Sequence, residues 1–407
     1  MPGAPLTSAH APPRGSALEV LAAFLKLGLS SFGGPIAHLG YFRDEFVARR
    51  RWIDEAGYAD LVALCQFLPG PASSQVGFAL GLMRAGPAGA LAAWTGFTLP
   101  SALLMLAFAY GSAALSGPWG AAIVHGLKLV AVAIVAQAVF GMARTLAPDR
   151  TRATIAVGAV ALVTLVGGAA GQLGSIAAGA LVGLWLCRDG TTGPVARPAF
   201  AVPAGVAGLS LALFLGLLLG LPLLVAATGA EGLALFDAFY RSGALVFGGG
   251  HVVLPLLQGA LVPRGWIGDD AFLAGYGAAQ AMPGPLFTLA AYLGAVVDPA
   301  PHGLVGAAIA LVALFLPGVL ILIAALPFWD RIRSRPWMQG ALRGTNAAVV
   351  GILGAALYDP VWSSAVHGPK DLLVALAGFI ALMAWRVPPW TVVVGAVLAA
   401  LGLAQLG

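Results

Sequence analysis

Two glycine and proline clusters, each present twice, carry most of the chemistry this chain can offer. In the first half Phe32, Gly33 and Gly34 are followed by Gln66 and then by Pro69, Gly70 and Pro71. In the second half Phe247, Gly248 and Gly249 are followed, at a nearly constant offset, by Gln280 and by Pro283, Gly284 and Pro285. Glycine permits a backbone reversal and proline cannot continue a helix, so each cluster predicts a break. A break exposes helix N-termini, where first-turn N–H groups are unpaired and the dipole is positive, a combination that binds an oxyanion without a formal charge. Ser73 and Ser74 follow the first Pro-Gly-Pro turn and Thr288 the second; their hydroxyls either cap the helix or donate to an anion. Plain N-capping accounts for one such turn, but its recurrence in register with Gln66 and Gln280 favours a ligand site.

Cations occur at matched places. Lys26 and Arg241 precede the two Phe-Gly-Gly breaks inside apolar stretches, where a cation must be paired, hydrated or snorkelling. An anion-attracting role and a simple reach to the interface both fit. Lys128 stands opposite Asn346, and His125 opposite Arg343, with ligand contact and interhelical hydrogen bonding both open. His251 follows the second glycine run and His38 lies near the equivalent place out of register; either could carry a coupled proton or be a hydrogen-bonded structural residue.

The elements that must position these residues are membrane helices. Of 407 residues 60% are hydrophobic and 9% charged, against roughly 25% charged in soluble domains. Stretches such as Ala88 to Tyr110 and Ala199 to Thr228 supply the roughly 20 apolar residues that a spanning helix needs. The duplicated cassette divides the chain into a polar, disordered tail over 1–16 without a cleavable signal, a first repeat over 17–187, a linker with one membrane helix over 188–233, and a second repeat over 234–407. Breaks in membrane helices are tolerated where protein or water covers them, so paired breaks point to a cavity near the bilayer midplane.

Charge predicts that the two repeats are inverted. Cytoplasmic loops are enriched in Lys and Arg. Arg43 and Arg49 to Arg51 in repeat 1 face only Arg264, Asp269 and Asp270 in repeat 2, whereas the uncharged Ser112 to Gly120 faces Arg331, Arg333 and Arg335. The bias reverses again at Arg144, Arg150 and Arg152. The expected fold is an all-α polytopic membrane protein with two inverted-topology repeats of about six helical units each, joined by a linker helix. The motif-bearing helices are either re-entrant, breaking at mid-membrane, or spanning with a kink. Trp52 and Trp266 are expected at the membrane interface, and Arg49 to Arg51 as determinants of topology.

Several classes are disfavoured. No lysine follows a glycine-rich phosphate loop, so an ATP-driven pump is not expected within this chain. Cys65 and Cys187 are the only cysteines and lie in apolar context, and no spacing of metal ligands occurs; no cofactor, metal site or catalytic residue is expected. The excess of 21 Lys and Arg over 16 Asp and Glu sits mainly in loops and does not form a nucleic-acid module. A membrane-embedded enzyme would need convergent acid-base residues that the apolar segments lack.

Paired Phe-Gly-Gly breaks, a Trp after the first loop and Gln-x-x-Pro-Gly-Pro resemble the chromate ion transporter family in its long, two-domain form, over about residues 17 to 187 and 234 to 406. The positions that match the family's motifs are Phe32, Gly33, Gly34, Pro35, Gln66, Pro69, Gly70 and Pro71, and in repeat 2 Phe247, Gly248, Gly249, Gln280, Pro283, Gly284 and Pro285. Gly250 stands where repeat 1 has Pro35, so the halves need not contribute equally. The resemblance implies a multi-pass protein of the bacterial inner membrane that exports chromate, confers resistance to it and draws on the proton-motive force, with sulfate as a related substrate. A sulfate or molybdate importer and an uncoupled anion channel remain open, as does a homodimer. If the breaks line the site, Pro69→Ala and Pro283→Ala proteins that still reach the membrane lose transport, measured as radiolabelled anion flux; full flux in both removes the breaks from the site.

Overall fold

The structure, a computed structural model, describes residues 15–32, 34–112, 117–187, 202–247, 250–298, 301–328 and 335–405. Among them every regular element is helical. Gly33, Gly248, Gly249, most of the expected tail and the basic loop with Arg331 and Arg333 lie outside these residues. Repeat 1 comprises α1 (Ala17–Ser30), α2 (Gly34–Phe42) with a π-helical extension (Arg43–Arg49), α3 (Glu55–Phe67), α4 (Ala72–Ser112), α5 (Pro118–Leu146), α6 (Arg150–Val166) and α7 (Gly168–Leu186). The linker helix is α8 (Ala204–Thr228). Repeat 2 comprises α9 (Glu231–Ala244), α10 (Val253–Leu261), α11 (Asp269–Ala281), α12 (Leu289–Val296), α13 (Gly303–Ala325), α14 (Pro336–Ala356), α15 (Pro369–Met383) and α16 (Pro389–Gln405).

The motif-bearing units are split. Ser31 ends α1 and Gly34 begins α2; Leu68 ends α3 and Ala72 begins α4, which is itself interrupted at Ala85 and Gly86 by non-helical backbone. Six expected units therefore become eight segments in each repeat. At 1.5 Å per residue the 14 residues of α1 and the 13 of α3 extend about 20 Å, short of the ~30 Å hydrocarbon layer. Five helices among the described residues are long and apolar enough to cross a membrane: Ala72–Gly111, Trp119–Leu146, Ala204–Thr228, Gly303–Phe328 and Pro336–Trp362.

Packing repeats across the two halves. α1 lies on α4 within repeat 1, and α9 on α13 within repeat 2. The terminal hairpins are exchanged: α6 and α7 pack on α14 of the other repeat, and α15 and α16 pack on α5. Matching glycines make each contact possible. A Cβ on Gly28 would meet the Gly96 carbonyl at 2.5 Å, and one on Gly243 would strike the Leu314 carbonyl. A Cβ on Gly126 would lie 2.7 Å from Val397 Cα, and one on Gly344 2.7 Å from Gly183 Cα. Without a hydrophobic force between helices in lipid, such close backbone approach supplies the van der Waals contact that holds them together.

A salt-bridge network closes the basic end of repeat 1. Glu45, 6% exposed, accepts from Arg49 at 2.9 Å and Arg50 at 2.7 Å and lies 3.5 Å from Lys26. Glu19 pairs with Arg84 at 3.1 Å. Arg50 and Arg84 both lie over the Trp52 ring, which stacks on Phe46 at 4.6 Å. Trp52 is thus 3% exposed, buried by its own basic neighbours and not at a lipid interface as its type suggested. Trp266 is half-buried, with Arg264 over its ring at 5.0 Å.

Gly344→Ala is expected to destabilise by about 1–3 kcal/mol because the facing atoms are backbone and cannot yield. Gly141→Ala, with nothing near the added methyl, should be neutral or stabilise by about 0.5–1 kcal/mol through helix propensity. Thermal unfolding of the detergent-purified variants reads both signs.

Candidate functional site

The four breaks meet at one seam. The Gly70 N–H in the first Pro-Gly-Pro turn donates to the carbonyl of Val246, the residue before Phe247, at 2.8 Å. Reciprocally, the Gly284 N–H donates to the carbonyl of Ser31, the residue before Phe32, at 2.8 Å. Each turn of one repeat is therefore tied to the Phe-Gly-Gly break of the other. Gly70 (φ +118°) and Gly284 (φ +93°) adopt a backbone that side chains rarely take, and a Cβ there would come 2.9 Å from Gly318 Cα and 2.7 Å from Ser101 Oγ respectively. Both conformation and space select glycine. Gln75 adds a latch in the first turn, its Nε2 donating to the carbonyls of Pro69 at 3.0 Å and Gly318 at 2.8 Å.

Beside the seam lies a cavity of about 270 Å³. Gly34 of repeat 1, His251 and Gln280 of repeat 2, Gln137 of α5 and Arg386 from the α15–α16 turn line it. His251 Nδ1 is 2.8 Å from the Tyr276 hydroxyl, and its Nε2 is the group nearest Gly34. The Gln280 side-chain nitrogen is buried, and the amide lies within hydrogen-bonding reach of the Tyr276 hydroxyl. Arg386, a non-glycine residue at φ 54°, presents a cation at the hairpin turn, and no ion pair to it is made among the described residues. Strained backbone of this kind persists where surrounding structure imposes it, and it clusters at functional sites. The combination of one cation, side-chain amides, an imidazole and a helix start suits an oxyanion.

A second polar region surrounds the first Pro-Gly-Pro turn. Ser73 Oγ lies 3.5 Å from His38 Nδ1, the His38 ring also bonds the Ser31 carbonyl, and Ser74 Oγ, Ser31 Oγ and Thr98 Oγ1 are buried without partners among the described residues. Buried polar atoms are nearly always satisfied, so water or a ligand is expected to meet these hydroxyls.

Other residues singled out from the sequence lie elsewhere. Lys26 is exposed and faces Glu45; Arg241 pairs with Asp237 at 2.7 Å; Lys128, 6% exposed, pairs with Asp270 at 2.6 Å. None of the three lines the cavity. The Thr288 hydroxyl donates to the Pro285 carbonyl at 2.8 Å and so caps its own turn. Gln66 is exposed on α3, Asn346 is half-buried on α14, and Phe32 and Phe247 are half-buried, Phe32 with its ring 6.5 Å from Trp390. Pro71, Pro283 and Pro285 are buried within their turns and Pro69 is half-buried. Gly33, Gly248 and Gly249 fall outside the described residues. Sequence reasoning missed Gln137 and Arg386. An isolated amide within the apolar α5 was a usable signal for the first, whereas Arg386 reads as an ordinary loop charge. No group of three His, Cys, Asp or Glu that could hold a metal occurs among the described residues.

Broken helices meeting at a polar cavity, within a bundle of apolar helices from two similar halves, define a multi-pass membrane protein of the transporter class. The profile of the family described as chromate transporter matches residues 18–184 and 233–402, and the chain belongs to that family. It is 30% identical to a chromate transport protein of Pseudomonas aeruginosa over 388 residues, 93% of this chain and 90% of the relative. It is 28% identical to a chromate transport protein of Cupriavidus metallidurans over 399 residues, 96% and 94% of the two chains. An uncharacterised transporter of Bacillus subtilis matches at 31% identity over 140 residues, 34% of this chain and 74% of that one. No solved structure matches.

Gln280→Ala removes a half-buried amide whose one side-chain hydrogen bond is to Tyr276, so stability should fall by no more than about 1.5 kcal/mol. Anion flux should nevertheless fall at least about ten-fold, the effect of some 1.4 kcal/mol of lost contact. Gln66→Ala, on an exposed face, should leave flux near wild type. Equal fluxes in the two variants, measured in proteoliposomes, would remove Gln280 from the site.

Proposed function

We propose that this protein is a secondary active transporter that exports chromate across the bacterial inner membrane, driven by the proton-motive force, and so confers chromate resistance. The observation that carries the reading is the reciprocal seam, with Gly70 bound to Val246 and Gly284 to Ser31, beside a cavity lined by both repeats. Chromate is a tetrahedral dianion, and sulfate shares its shape and charge. Arg386 supplies charge, Gln137 and Gln280 supply side-chain donors, and the start of α2 at Gly34 supplies unpaired backbone N–H groups. His251, held by the Tyr276 hydroxyl, is the imidazole lining the cavity and the candidate carrier of the coupled proton.

In this reading the repeats are inverted about the seam and the Phe-Gly-Gly and Pro-Gly-Pro segments are re-entrant. The opposed charge of corresponding loops, the short α1 and α3 and the single linker helix α8 support it. Exchange of conformation between the halves would open the cavity to each side in turn.

The test is uptake of radiolabelled chromate into inside-out vesicles, with and without an imposed potential and pH gradient and with excess unlabelled sulfate. Energised, saturable accumulation is expected, inhibited by sulfate. Flux that simply follows voltage would favour a channel, and accumulation only in right-side-out vesicles an importer. Arg386→Gly relieves the strained backbone while removing the cation, so it should fold at least as stably as wild type yet lose chromate uptake; retained uptake would exclude Arg386 from the site.

A further inference from the structure

A second cavity, of about 580 Å³, lies between α6 and α7 and shares no lining residue with the first. Its mouth carries Arg150, Thr151 and Thr154, and its inner walls are apolar, with Ile155, Leu162 and Val182 among them. From Arg150 to Leu162 the groove runs about 18 Å along α6, close to the ~15 Å depth of one leaflet of hydrocarbon. Two of its hydroxyls are turned back onto their own helices. Thr154 donates to the Arg150 carbonyl at 2.8 Å and Ser175 to the Gly171 carbonyl at 2.7 Å, so neither proton is free for a solute.

The mouth is basic. Arg152 is held by Asp149 at 2.6 Å, Arg343 donates to the Cys187 carbonyl at the end of α7 at 3.1 Å, and Arg144 lies over the Phe140 ring. Arg150 is exposed beside this cluster, and no ion pair to it is made among the described residues. An apolar slot one leaflet deep under a cluster of arginines matches a lipid acyl chain beneath an anionic headgroup. A second copy of the chain fits less well, because a two-fold contact on this face would set like charges against each other.

We propose that this groove binds an anionic phospholipid, one acyl chain lying between α6 and α7 and the phosphate held at Arg150. Native mass spectrometry of the detergent-purified protein, with added phosphatidylglycerol or phosphatidylcholine of identical chains, tests it. The expected result is retention of phosphatidylglycerol over phosphatidylcholine. Arg150→Gln should lower phosphatidylglycerol retention about five-fold and leave phosphatidylcholine unchanged, the effect of one basic residue at an anionic headgroup. Ala178→Phe, which fills the groove, should lower both. Equal retention of the two lipids, indifference to both substitutions, or a dimer that disappears in Ala178→Phe would each overturn the proposal.

Discussion

Everything near the centre of this protein depends on a pair of backbone hydrogen bonds that cross between its halves. Breaking a helix inside a membrane frees N–H and carbonyl groups that lipid cannot satisfy, at a cost of several kcal/mol each. Here the freed carbonyls of Ser31 and Val246 are taken up by the glycine N–H groups at the other repeat's turn. Neither repeat could bury its breaks alone. The requirement that each half complete the other explains why two proline and glycine clusters, distant in sequence, converge on one seam.

The symmetry of the seam does not extend to the cavity beside it. Lys26 and Arg241 hold corresponding positions, yet one is met by Glu45 from the π-helical extension and the other by Asp237 one turn back on its own helix. Repeat 2 has no carboxylate where repeat 1 has Glu45, so the partner arises locally. The hairpin tips differ too: Gly167 alone separates α6 from α7, while a longer turn containing Arg386 separates α15 from α16. That insertion places a cation on one side of the seam only. A duplicated scaffold thus borders an asymmetric polar cavity.

Exchange of the terminal hairpins gives the same dependence on a larger scale. α6 and α7 rest on α14, and α15 and α16 on α5, each through glycines that let the backbones touch. The two halves therefore interlock at the periphery as well as at the centre.

The sequence by itself determined the environment, the duplication and the places where helices break, because apolar length, repeated spacing and the stereochemistry of glycine and proline are local properties. Gly70 and Gly284 could be read as breaks from their neighbours alone. It did not determine which charges are free, because pairing depends on what other segments bring. Lys128 looked available until Asp270, remote in sequence, was placed beside it, and Trp52 looked like an interface anchor until Arg50 and Arg84 covered it. Arg386 was anonymous in a list of loop charges. Only the tertiary structure, by folding the last hairpin back against α5, brought Arg386 into the lining of the cavity with Gly34, His251 and Gln280.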